Sequence, residues 1–242
     1  MNWKKKLINM SKNTEIIQFK KPYQSTIEFE KFLKNNNFFN RNNKSILDLG
    51  CGIGSNINYF SKKYPNINFT GWDYAKSQIK KTNEFNNYKN NKFYVKNILK
   101  INKNKNRYDA LFSTHTFCVF KKIEPVVKSI KNLKAKWIAI NSLFYEGYLD
   151  VLIHIRDLNN KIINDNNPDA DFNIHSLPNT IKIFEKYGYK LITKKNFFPK
   201  QKIKKKKKTR GSYTIKTEFN KNTLFSGPVH LPWYFILFKK ND

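Results

Sequence analysis

Short apolar runs alternate with segments of helical periodicity from residue 45 onward. Runs of mostly apolar residues predict five β-strands, at 45–49, 67–72, 92–96, 109–113 and 136–142. Apolar positions at helical spacing predict three helices between them, at 55–63, 75–85 and 122–134. Strands that alternate with helices in this way predict a parallel sheet that is covered by helices on both faces.

The chain after the fifth predicted strand combines further strand and helix patterns. The segment LFYEGYLDVLIHIRDL predicts a loop followed by a helix, and LPNTIKIFEKYGY predicts a helix with Pro178 at its start and Gly188 at its end. The segments YKLITKKNFF and WYFILFKK have strand-like patterns. Between them, SYTIKTEFNKNTLFSG alternates around an Asn-Lys-Asn turn, which predicts an added β-hairpin.

The N-terminal segment contains an amphipathic helix at 24–35, which directs Ile27, Phe29 or Phe32, and Leu33 towards the body of the protein. We see no internal repeat, so we predict a single domain that is built from four segments. These are an N-terminal helical cap (1–44), a core (45–198), a lysine-rich loop with the hairpin (199–227) and a last strand (228–242).

The composition is strongly basic, since 47 Lys and Arg against 17 Asp and Glu give a formal net charge of +30. This excess allows a nucleic-acid partner. However, the chain has only four arginines, and Arg is the residue that phosphate and base-edge recognition favours. Abundant Asn, Ile and Phe accompany the Lys, as expected of an AT-rich coding sequence. Much of the charge, including the run KIKKKKKTR, is therefore expected on solvated faces.

Cysteine content and hydropathy indicate the compartment. Cys51 and Cys118 form neither a disulfide framework nor a metal-ligand spacing. The start MNWKKKLINMSKN lacks an apolar stretch of signal-peptide length, and no stretch approaches a membrane span. We expect a reduced, cytoplasmic protein with a buried core and without a bound metal.

The loop after the first predicted strand carries the most specific chemistry, in the sequence SILDLGCGIGSN. Gly50, Gly52 and Gly54 let a ligand approach the backbone closely, and the helix that follows offers unpaired N–H groups. The nicotinamide fingerprint Gly-x-Gly-x-x-Gly would require a glycine where Ser55 stands. The loop therefore predicts a bound nucleotide-like ligand, and its departure from the nicotinamide fingerprint is modest.

Two acids flank this loop and narrow the choice of ligand. Asp48 would repel a pyrophosphate but suits a ligand with an ammonium group. Asp73 follows the loop by about 20 residues, at the end of the second strand, where an acid accepts hydrogen bonds from ribose hydroxyls. A nucleoside that carries an amino acid and no phosphate satisfies both acids, and S-adenosylmethionine has this composition. The alternative is a Rossmann-like domain with a degenerate, empty loop.

The segments DLGCGIGSN, WDYAKSQI, YVKNIL and YDALFSTHTF resemble, in this order, the motifs of class I S-adenosylmethionine-dependent methyltransferases. The resemblance extends over about residues 45–143, and the last pair of strand patterns fits the same fold. It implies an α/β, Rossmann-like class I methyltransferase fold. Its mostly parallel seven-stranded sheet has an antiparallel last strand, and this chain adds an N-terminal helix and a β-hairpin.

The resemblance also implies which residues bind the methionine part of S-adenosylmethionine. The backbone of Gly50, Cys51 and Gly52 would line it, and Asp48 would lie near its amino group, through the loop or a water. Ser113 would lie under the methionine tail.

The nucleoside part would be bound by the ends of the second and third strands. Asp73 would hold the ribose hydroxyls, and Tyr74 would pack on the adenine. Asn97 and Ile98 would reach the adenine edge. Many members of the family have Asp where Asn97 stands, but Asn keeps an acceptor oxygen for the adenine amine.

The end of the fourth strand indicates the class of methyl acceptor. DNA and RNA amine methyltransferases that resemble this family have (Asp/Asn)-Pro-Pro-(Tyr/Phe) there, whereas this chain has Ser-Thr-His-Thr at 113–116. No Pro-Cys pair supports the cytosine-carbon mechanism. The Lys-Asp-Lys-Glu arrangement of ribose methylation is also missing, since Asp109 stands at the start of the strand.

Two residues are candidates for the catalytic base that an alcohol acceptor needs. His115 follows the strand end that faces the cofactor, and its alternative role is that of a surface or helix-capping histidine. Glu146 follows the fifth strand and is predicted to point into the acceptor mouth, or else to be a solvated loop acid.

Tyr145 and His154 are candidates for the wall of the acceptor pocket. The alternative is buried packing, of Tyr145 as an aromatic side chain and of His154 within a helix. Three later segments, NSLFYEGYLD, DFNIHSLPNTIKIFEKYGYKLI and FSGPVHLPWYFILF, resemble methyltransferases encoded with bacterial capsule or surface-polysaccharide genes, some of which are linked to O-methyl phosphoramidate. This likeness implies a small, anionic acceptor or a sugar nucleotide, whose phosphate Arg156 and nearby lysines would hold. An RNA methyltransferase and a non-catalytic cofactor-binding subunit are the alternatives.

Overall fold

The computed structural model describes residues 19, 21–101, 107–155, 170–205 and 212–241 of the protein. The helices bounded within these ranges are α1 (Gln24–Asn35), α2 (Ser55–Lys63), α3 (Lys76–Phe85), α4 (Glu124–Ile130) and α5 (Leu177–Lys186). The first strands are β1 (Ser45–Leu49), β2 (Asn68–Asp73), β3 (Lys92–Val95), β4 (Ala110–Thr114), β5 (Trp137–Tyr145) and β6 (Val151–Ile155). They are followed by β7 (Ala170–Ser176), β8 (Tyr189–Asn196), β9 (Ser212–Lys216), β10 (Asn222–Ser226), β11 (Val229–His230) and β12 (Trp233–Lys240).

Among the described residues, the central sheet has nine strands, of which seven follow one another in the order β3-β2-β1-β4-β5-β12-β8, while β6 and β7 are attached beside β5. The pairs from β3 through β5 are parallel, and β12 is antiparallel to both of its neighbours. This architecture confirms the predicted α/β fold with its antiparallel last strand. The strand order reverses between β1 and β4, which is the point at which sheets of this kind bind ligands, outside the carboxyl ends of the strands. We call this side of the sheet the carboxyl edge.

Both faces of the sheet are buried, because its strands alternate between two apolar layers. Along β12, Trp233, Phe235 and Leu237 belong to the layer that also contains side chains of α1, α2 and α3, here called the first layer. Their neighbours Tyr234, Ile236 and Phe238 belong to the layer under α4 and α5, the second layer. Burial on both sides explains why these strands read as continuous apolar runs.

Helix α1 closes the first layer. Phe29 and Phe32 lie 5.2 and 5.7 Å from the ring of Phe235, and Leu33 is fully buried. Ile27, which we expected to face the body, is only partly buried. Buried Glu30 accepts hydrogen bonds from Tyr64 and from Lys63 (2.9 Å), so α1 is fastened to the end of α2 by charge as well as by packing.

The segment after β5 corrects the prediction of a loop followed by a helix. Strand β5 continues to Tyr145, and Val151–Ile155 forms β6, which pairs antiparallel with β7. Strand β7 in turn lies parallel beside the end of β5, in the pairs Phe144–His175 and Tyr145–Ser176. The β-branched residues of VLIHI alternate with period two, which favours a strand when a pairing partner is available. The alternative of a helical His154 is therefore wrong.

The predicted hairpin is present as β9 and β10, joined through the turn Thr217–Lys221, in which Asn220 has a positive φ of 57°. A short third strand, β11, completes a small separate sheet and leads through Pro232 into β12. Because β12 is antiparallel to β5, its first residue lies at the carboxyl edge. The hairpin therefore joins the core on the side where ligands are expected.

Candidate functional site

The glycine loop lies at the carboxyl edge between β1 and α2. Gly50 has a φ of +78°, and a Cβ there would lie 2.2 Å from the side-chain oxygen of Thr116. Gly52 has a φ of +53° and nothing within 4 Å of a Cβ position, so its outer side faces open space. The loop is thus pressed against the chain after β4 at one glycine and open at the next. This arrangement leaves its backbone accessible to a ligand.

Asp73 shapes the loop from the end of β2. One carboxylate oxygen accepts the N–H of Gly52 at 2.9 Å, and the other accepts the N–H of Ala75 at 2.8 Å. Burial raises the pKa of Asp73, while these backbone hydrogen bonds lower it. A carboxylate can accept about four hydrogen bonds, so Asp73 can accept a ribose hydroxyl without releasing the loop.

Asp48 lies under the loop on β1 and is fully buried. Neither of its oxygens has a hydrogen-bond partner among the described residues. Burial, and then the negative charge of Asp73, raise the pKa of Asp48 well above its ordinary value. An unpaired buried acid is unfavourable in the protein alone. A ligand with an ammonium group would supply the missing charge, so this acid and the open loop fit S-adenosylmethionine.

The remaining residues predicted for the cofactor lie around the same edge. Partly buried Tyr74 follows β2 directly, and buried Ile98 begins a 3₁₀ turn after β3. The side-chain oxygen of Asn97 accepts the N–H of Leu99 at 2.9 Å, so Asn97 caps this turn. The hydroxyl of Ser113 donates to the carbonyl of Leu49 at 2.8 Å and joins β4 to β1. These contacts are compatible with the predicted binding roles but do not test them.

His115, which the sequence predicts as a candidate base, lies directly after β4. Its φ of 60° is unusual for a residue other than glycine, and its N–H donates to the carbonyl of Asn141 at 2.8 Å. Its ring lies 4.3 Å from the ring of Trp233. Part of the side chain is exposed, yet surrounding protein lowers the pKa of His115 to about 4 through desolvation. The imidazole is therefore neutral at pH 7 and able to accept a proton.

Glu146 does not join His115. Its carboxylate lies 3.6 Å from the ammonium group of Lys194 on β8. It also lies beside the hydroxyl of Tyr234, whose pKa is raised to about 12, chiefly by burial and then by the charge of Glu146. Tyr234 belongs to the second layer, whereas Trp233 belongs to the first. Glu146 is thus tied to the opposite face of the sheet from the ring pair of His115 and Trp233.

The predicted substrate residues fall on the β5–β6 segment. Tyr145 is about half exposed at the end of β5, and exposed His154 lies on β6, opposite Asp171 in the register of β7. Arg156 lies outside the described residues. The structure therefore places Tyr145 and His154 on strands that extend beyond the carboxyl edge.

Sequence reasoning missed two polar features of this edge. A chain of hydrogen bonds runs from the hydroxyl of Thr26 to the side-chain oxygen of Asn56 (2.7 Å), and from the Asn56 amide to the hydroxyl of Thr114 (2.6 Å). It links α1, α2 and β4. In addition, Asn141 on β5 is 1% exposed, and both polar atoms of its side chain lack a partner among the described residues. An Asn inside an apolar strand was the only available signal for the second feature.

None of the described helices is both long and apolar enough to cross a membrane. Across the described part of the chain, no group of three or more His, Cys, Asp or Glu side chains could hold a metal ion.

Comparison with known proteins assigns the family. The model of a family described as "Methyltransferase domain" matches residues 40–208, which is well over half of the chain. A malonyl-[acyl-carrier protein] O-methyltransferase of Bacillus anthracis is 31% identical over 85 residues, which are 35% of this chain and 31% of that relative. The matched segment thus spans less than a third of the relative's length.

Solved methyltransferase structures share the fold. Magnesium protoporphyrin IX methyltransferase (ChlM) from Synechocystis PCC 6803 with bound S-adenosylhomocysteine superposes with a TM-score of 0.56. It is 10% identical, and the match covers 90% of this chain and 82% of that one. Coclaurine N-methyltransferase, bound to N-methylheliamine and S-adenosylhomocysteine, has a TM-score of 0.56 at 17% identity, over 71% of this chain and 51% of its own.

The fold, the glycine loop and the family model agree on the class, which is that of S-adenosylmethionine-dependent methyltransferase domains. The chain belongs to the methyltransferase-domain family.

Proposed function

We propose that the protein transfers the methyl group of S-adenosylmethionine to an oxygen atom of a small, polar or anionic acceptor. The observation that carries this proposal is the unpaired, fully buried Asp48 beneath an open glycine loop, with a neutral histidine after the neighbouring strand. The first feature favours a cationic nucleoside ligand, and the second supplies a proton acceptor beside it.

The proposed cofactor contacts divide between two ends of the loop. The backbone of Gly50, Cys51 and Gly52 lines the methionine part, with Asp48 below its ammonium group and Ser113 below its tail. Asp73 accepts a ribose hydroxyl, since a carboxylate has acceptor sites beyond its bonds to Gly52 and Ala75.

The adenine would lie between the turns that follow β2 and β3. Tyr74 packs on its face, while Asn97 and Ile98 meet its edge. The oxygen of Asn97 is already held by the N–H of Leu99, so the side chain is oriented before the ligand binds. Bound S-adenosylmethionine supplies an electrophilic methyl group on a sulfonium ion.

The protein's own part in catalysis is to orient the acceptor and to take its proton. A ring nitrogen of His115 would accept the proton of the acceptor hydroxyl. The acceptor oxygen would take the methyl group as the bond from the methyl carbon to the sulfonium sulfur breaks, and the cofactor would leave as S-adenosylhomocysteine. The low pKa of His115 keeps this nitrogen unprotonated at neutral pH, and the exposed part of the side chain gives the acceptor access. An acceptor that is already ionised, such as a carboxylate or phosphate oxygen, would not need this step.

The class of acceptor rests on charge and on sequence likeness. The net charge of +30 favours an anionic partner, and Tyr145, His154 and Arg156 are the residues that we propose for its pocket. The likeness of three C-terminal segments to methyltransferases of capsule or surface-polysaccharide gene clusters supports a sugar nucleotide or a phosphoramidate-type precursor. The Bacillus anthracis relative, which is named for a carrier-bound malonyl group, supports a carboxylate as a further possibility to test.

An RNA acceptor is the second candidate, because the same charge of +30 favours it. The residues Ser113, Thr114, His115 and Thr116 at the end of β4 differ from the nucleobase-methylating pattern, and arginines are scarce. An RNA activity would fall steeply with salt, by about 1000-fold or more between 50 and 200 mM for a contact with many phosphates.

The test is transfer of a labelled methyl group to a panel of acceptors. Sugar nucleotides, a malonyl thioester and purified RNA are compared at low and moderate salt, with the wild type, His115→Gln and the surface control Glu185→Ala. We expect methyl transfer to an anionic small molecule that changes little with salt. We expect turnover to be lost in His115→Gln and kept in Glu185→Ala. Transfer to RNA alone would replace the leading proposal by the second, and cofactor binding without any transfer would favour a non-catalytic subunit.

A further inference from the structure

Asn141 is buried at the level where the parallel strands end. On β5, Asn141 stands opposite Thr114, the last residue of β4, on one side and opposite Phe235 of β12 on the other. The side chain is 1% exposed, and neither its amide nitrogen nor its oxygen has a partner among the described residues. Both groups therefore give up hydrogen bonds to water without replacement in this arrangement.

The neighbours of Asn141 show that an apolar side chain would fit this position. Ala139 and Leu143, two residues before and after it, belong to the first layer, as does Phe235 across the strand pair. Successive side chains of a strand alternate between faces, so Asn141 points into this same apolar layer. An amide in such a place calls for a partner that the packing alone does not provide.

His115 is the polar group that reaches this layer. Strand β5 lies between β4, which His115 follows, and β12, which begins at Trp233. Neighbouring strands are about 4.8 Å apart, so the ring pair of His115 and Trp233 must meet above β5. Trp233 pairs with Leu143 and shares the first layer with it. The His115 ring therefore lies above the stretch of β5 that includes Asn141.

The backbone fixes the same arrangement. The N–H of His115 donates to the carbonyl of Asn141 at 2.8 Å, and the positive φ of His115 turns the chain at this point. We propose that Asn141 is a positioning residue for His115, whose side-chain amide hydrogen-bonds one ring nitrogen and leaves the other for the acceptor. The inference rests on the proposed role of His115 as the base.

The amide and the ring form no hydrogen bond in the protein alone. Catalytic hydrogen bonds are often long before ligands bind and shorten in the complex. A rotation of either side chain would bring the two groups together, and ligand packing against His115 would drive it. The bond would select one tautomer of the imidazole, because an amide oxygen accepts only from a protonated ring nitrogen.

Few other groups compete for the ring. Desolvation by the surrounding protein is the cause of the lowered pKa of His115, whose side chain is still exposed in part, and no charged side chain contributes among the described residues. Trp233 faces the ring with its aromatic surface, and the thiol of Cys118 contacts the backbone carbonyl of His115 at 3.4 Å. Burial raises the pKa of Cys118 to about 12, so this thiol stays neutral. Asn141 is thus the polar side chain best placed to orient the imidazole.

The test reads the imidazole directly and needs no acceptor. Long-range ¹H–¹⁵N NMR gives the tautomer and the pKa of His115, one of four histidines, in the full chain with S-adenosylhomocysteine added. His115→Gln assigns its signals. The variants are Asn141→Leu, which removes the amide, and Asn141→Asp, which places a carboxylate below the ring. Thr223→Val is the control, since it removes another buried, unpartnered polar group from the small sheet.

We expect one dominant tautomer in the wild type and in Thr223→Val, and a mixture in Asn141→Leu. We expect Asn141→Asp to bind a proton at His115 at least about 10-fold more tightly, through the nearby negative charge. An unchanged tautomer in Asn141→Leu would overturn the inference, and this variant decides the question if Asn141→Asp does not fold. Calorimetry with S-adenosylhomocysteine distinguishes failure of this inference from failure of the proposed function. If the proposed function fails, the wild type itself does not bind S-adenosylhomocysteine.

Discussion

Asp48 and Asp73 lie at the same edge of the sheet but are held very differently. Asp73 accepts two backbone N–H groups, whereas fully buried Asp48 has no partner among the described residues. The first carboxylate organises the glycine loop in the protein alone. The second is unfavourable until a cation arrives, so its contribution belongs to binding and not to folding.

This contrast predicts opposite effects of Asp48→Asn on stability and on binding. A carboxyl group whose pKa is raised by folding loses stability as the pH rises through that pKa, so at pH 7 its removal should stabilise the protein without ligand. We expect a gain on the order of 1 kcal/mol in the free energy of unfolding. Loss of the charge-assisted hydrogen bond should weaken the binding of S-adenosylhomocysteine by about 10- to 100-fold. Thermal melts and calorimetry measure the two effects, and a destabilised variant with normal affinity would contradict the account.

His115 should make stability depend on pH. Its pKa is lowered to about 4 by burial, against about 6.5 in the unfolded chain. Between these pKa values His115 is protonated in the unfolded chain but not in the folded protein. The free energy of unfolding therefore falls as the pH is lowered through this range. Urea unfolding at pH 7 and pH 5 should show a smaller loss for His115→Gln than for the wild type. Equal losses would mean that the exposed part of the ring titrates as in water.

At the scale of elements, the hydrogen-bond chain from Thr26 through Asn56 to Thr114 connects α1 to the end of β4. Asn56 stands in the first turn of α2, directly after the glycine loop. The cap helix, the cofactor loop and the strand before His115 therefore share one polar contact. This connection explains how an N-terminal helix outside the parallel core can still hold the site in place.

Thr26→Val keeps the shape of the side chain and removes the first bond of this chain. We expect a loss of about 1 kcal/mol in the free energy of unfolding and faster amide exchange along α1. Ser25→Ala, one residue earlier on the same helix, is the matched control and should change stability by less than about 0.5 kcal/mol. Equal effects of the two substitutions would show that the bond adds nothing beyond helix propensity.

Elements with a strong local pattern could be predicted from the sequence, and those that depend on distant pairing could not. Helix α2 and strands β1 and β12 have the predicted bounds, because apolar periodicity and the glycine loop define them locally. The local pattern of β6 predicts a helix, because its pairing with β7 is not visible in either segment alone. Only the register of β5, β8 and β12 shows that Glu146 is tied to the face away from Trp233.

The candidate site follows the same rule. Asp48, the three glycines and Asp73 are close together in the chain or at predicted strand ends, so their meeting at the carboxyl edge could be anticipated. The contact of His115 with Trp233 and the place of Asn141 below it depend on β12 lying next to β5. That neighbour relation joins residues almost a hundred positions apart, and no local pattern contains it.

At the scale of the whole molecule, a strongly basic chain carries a glycine loop that is flanked by acids. The net charge is +30, yet the cofactor loop is flanked by two carboxylates. A polyphosphate cofactor would be attracted by the surface and repelled at the loop, whereas a cationic nucleoside is favoured at the loop. The acids beside the loop, and not the net charge, therefore favour a cationic nucleoside as the cofactor.

Calorimetric titration of the full chain with S-adenosylhomocysteine and, separately, with NAD tests this claim most directly. We predict one bound S-adenosylhomocysteine per chain and no binding of NAD under the same conditions. Asp73→Ala should lose at least about 100-fold in affinity through the freed loop, and Glu185→Ala on α5 should match the wild type. Binding of NAD, or no heat with S-adenosylhomocysteine at millimolar concentration, would contradict the account.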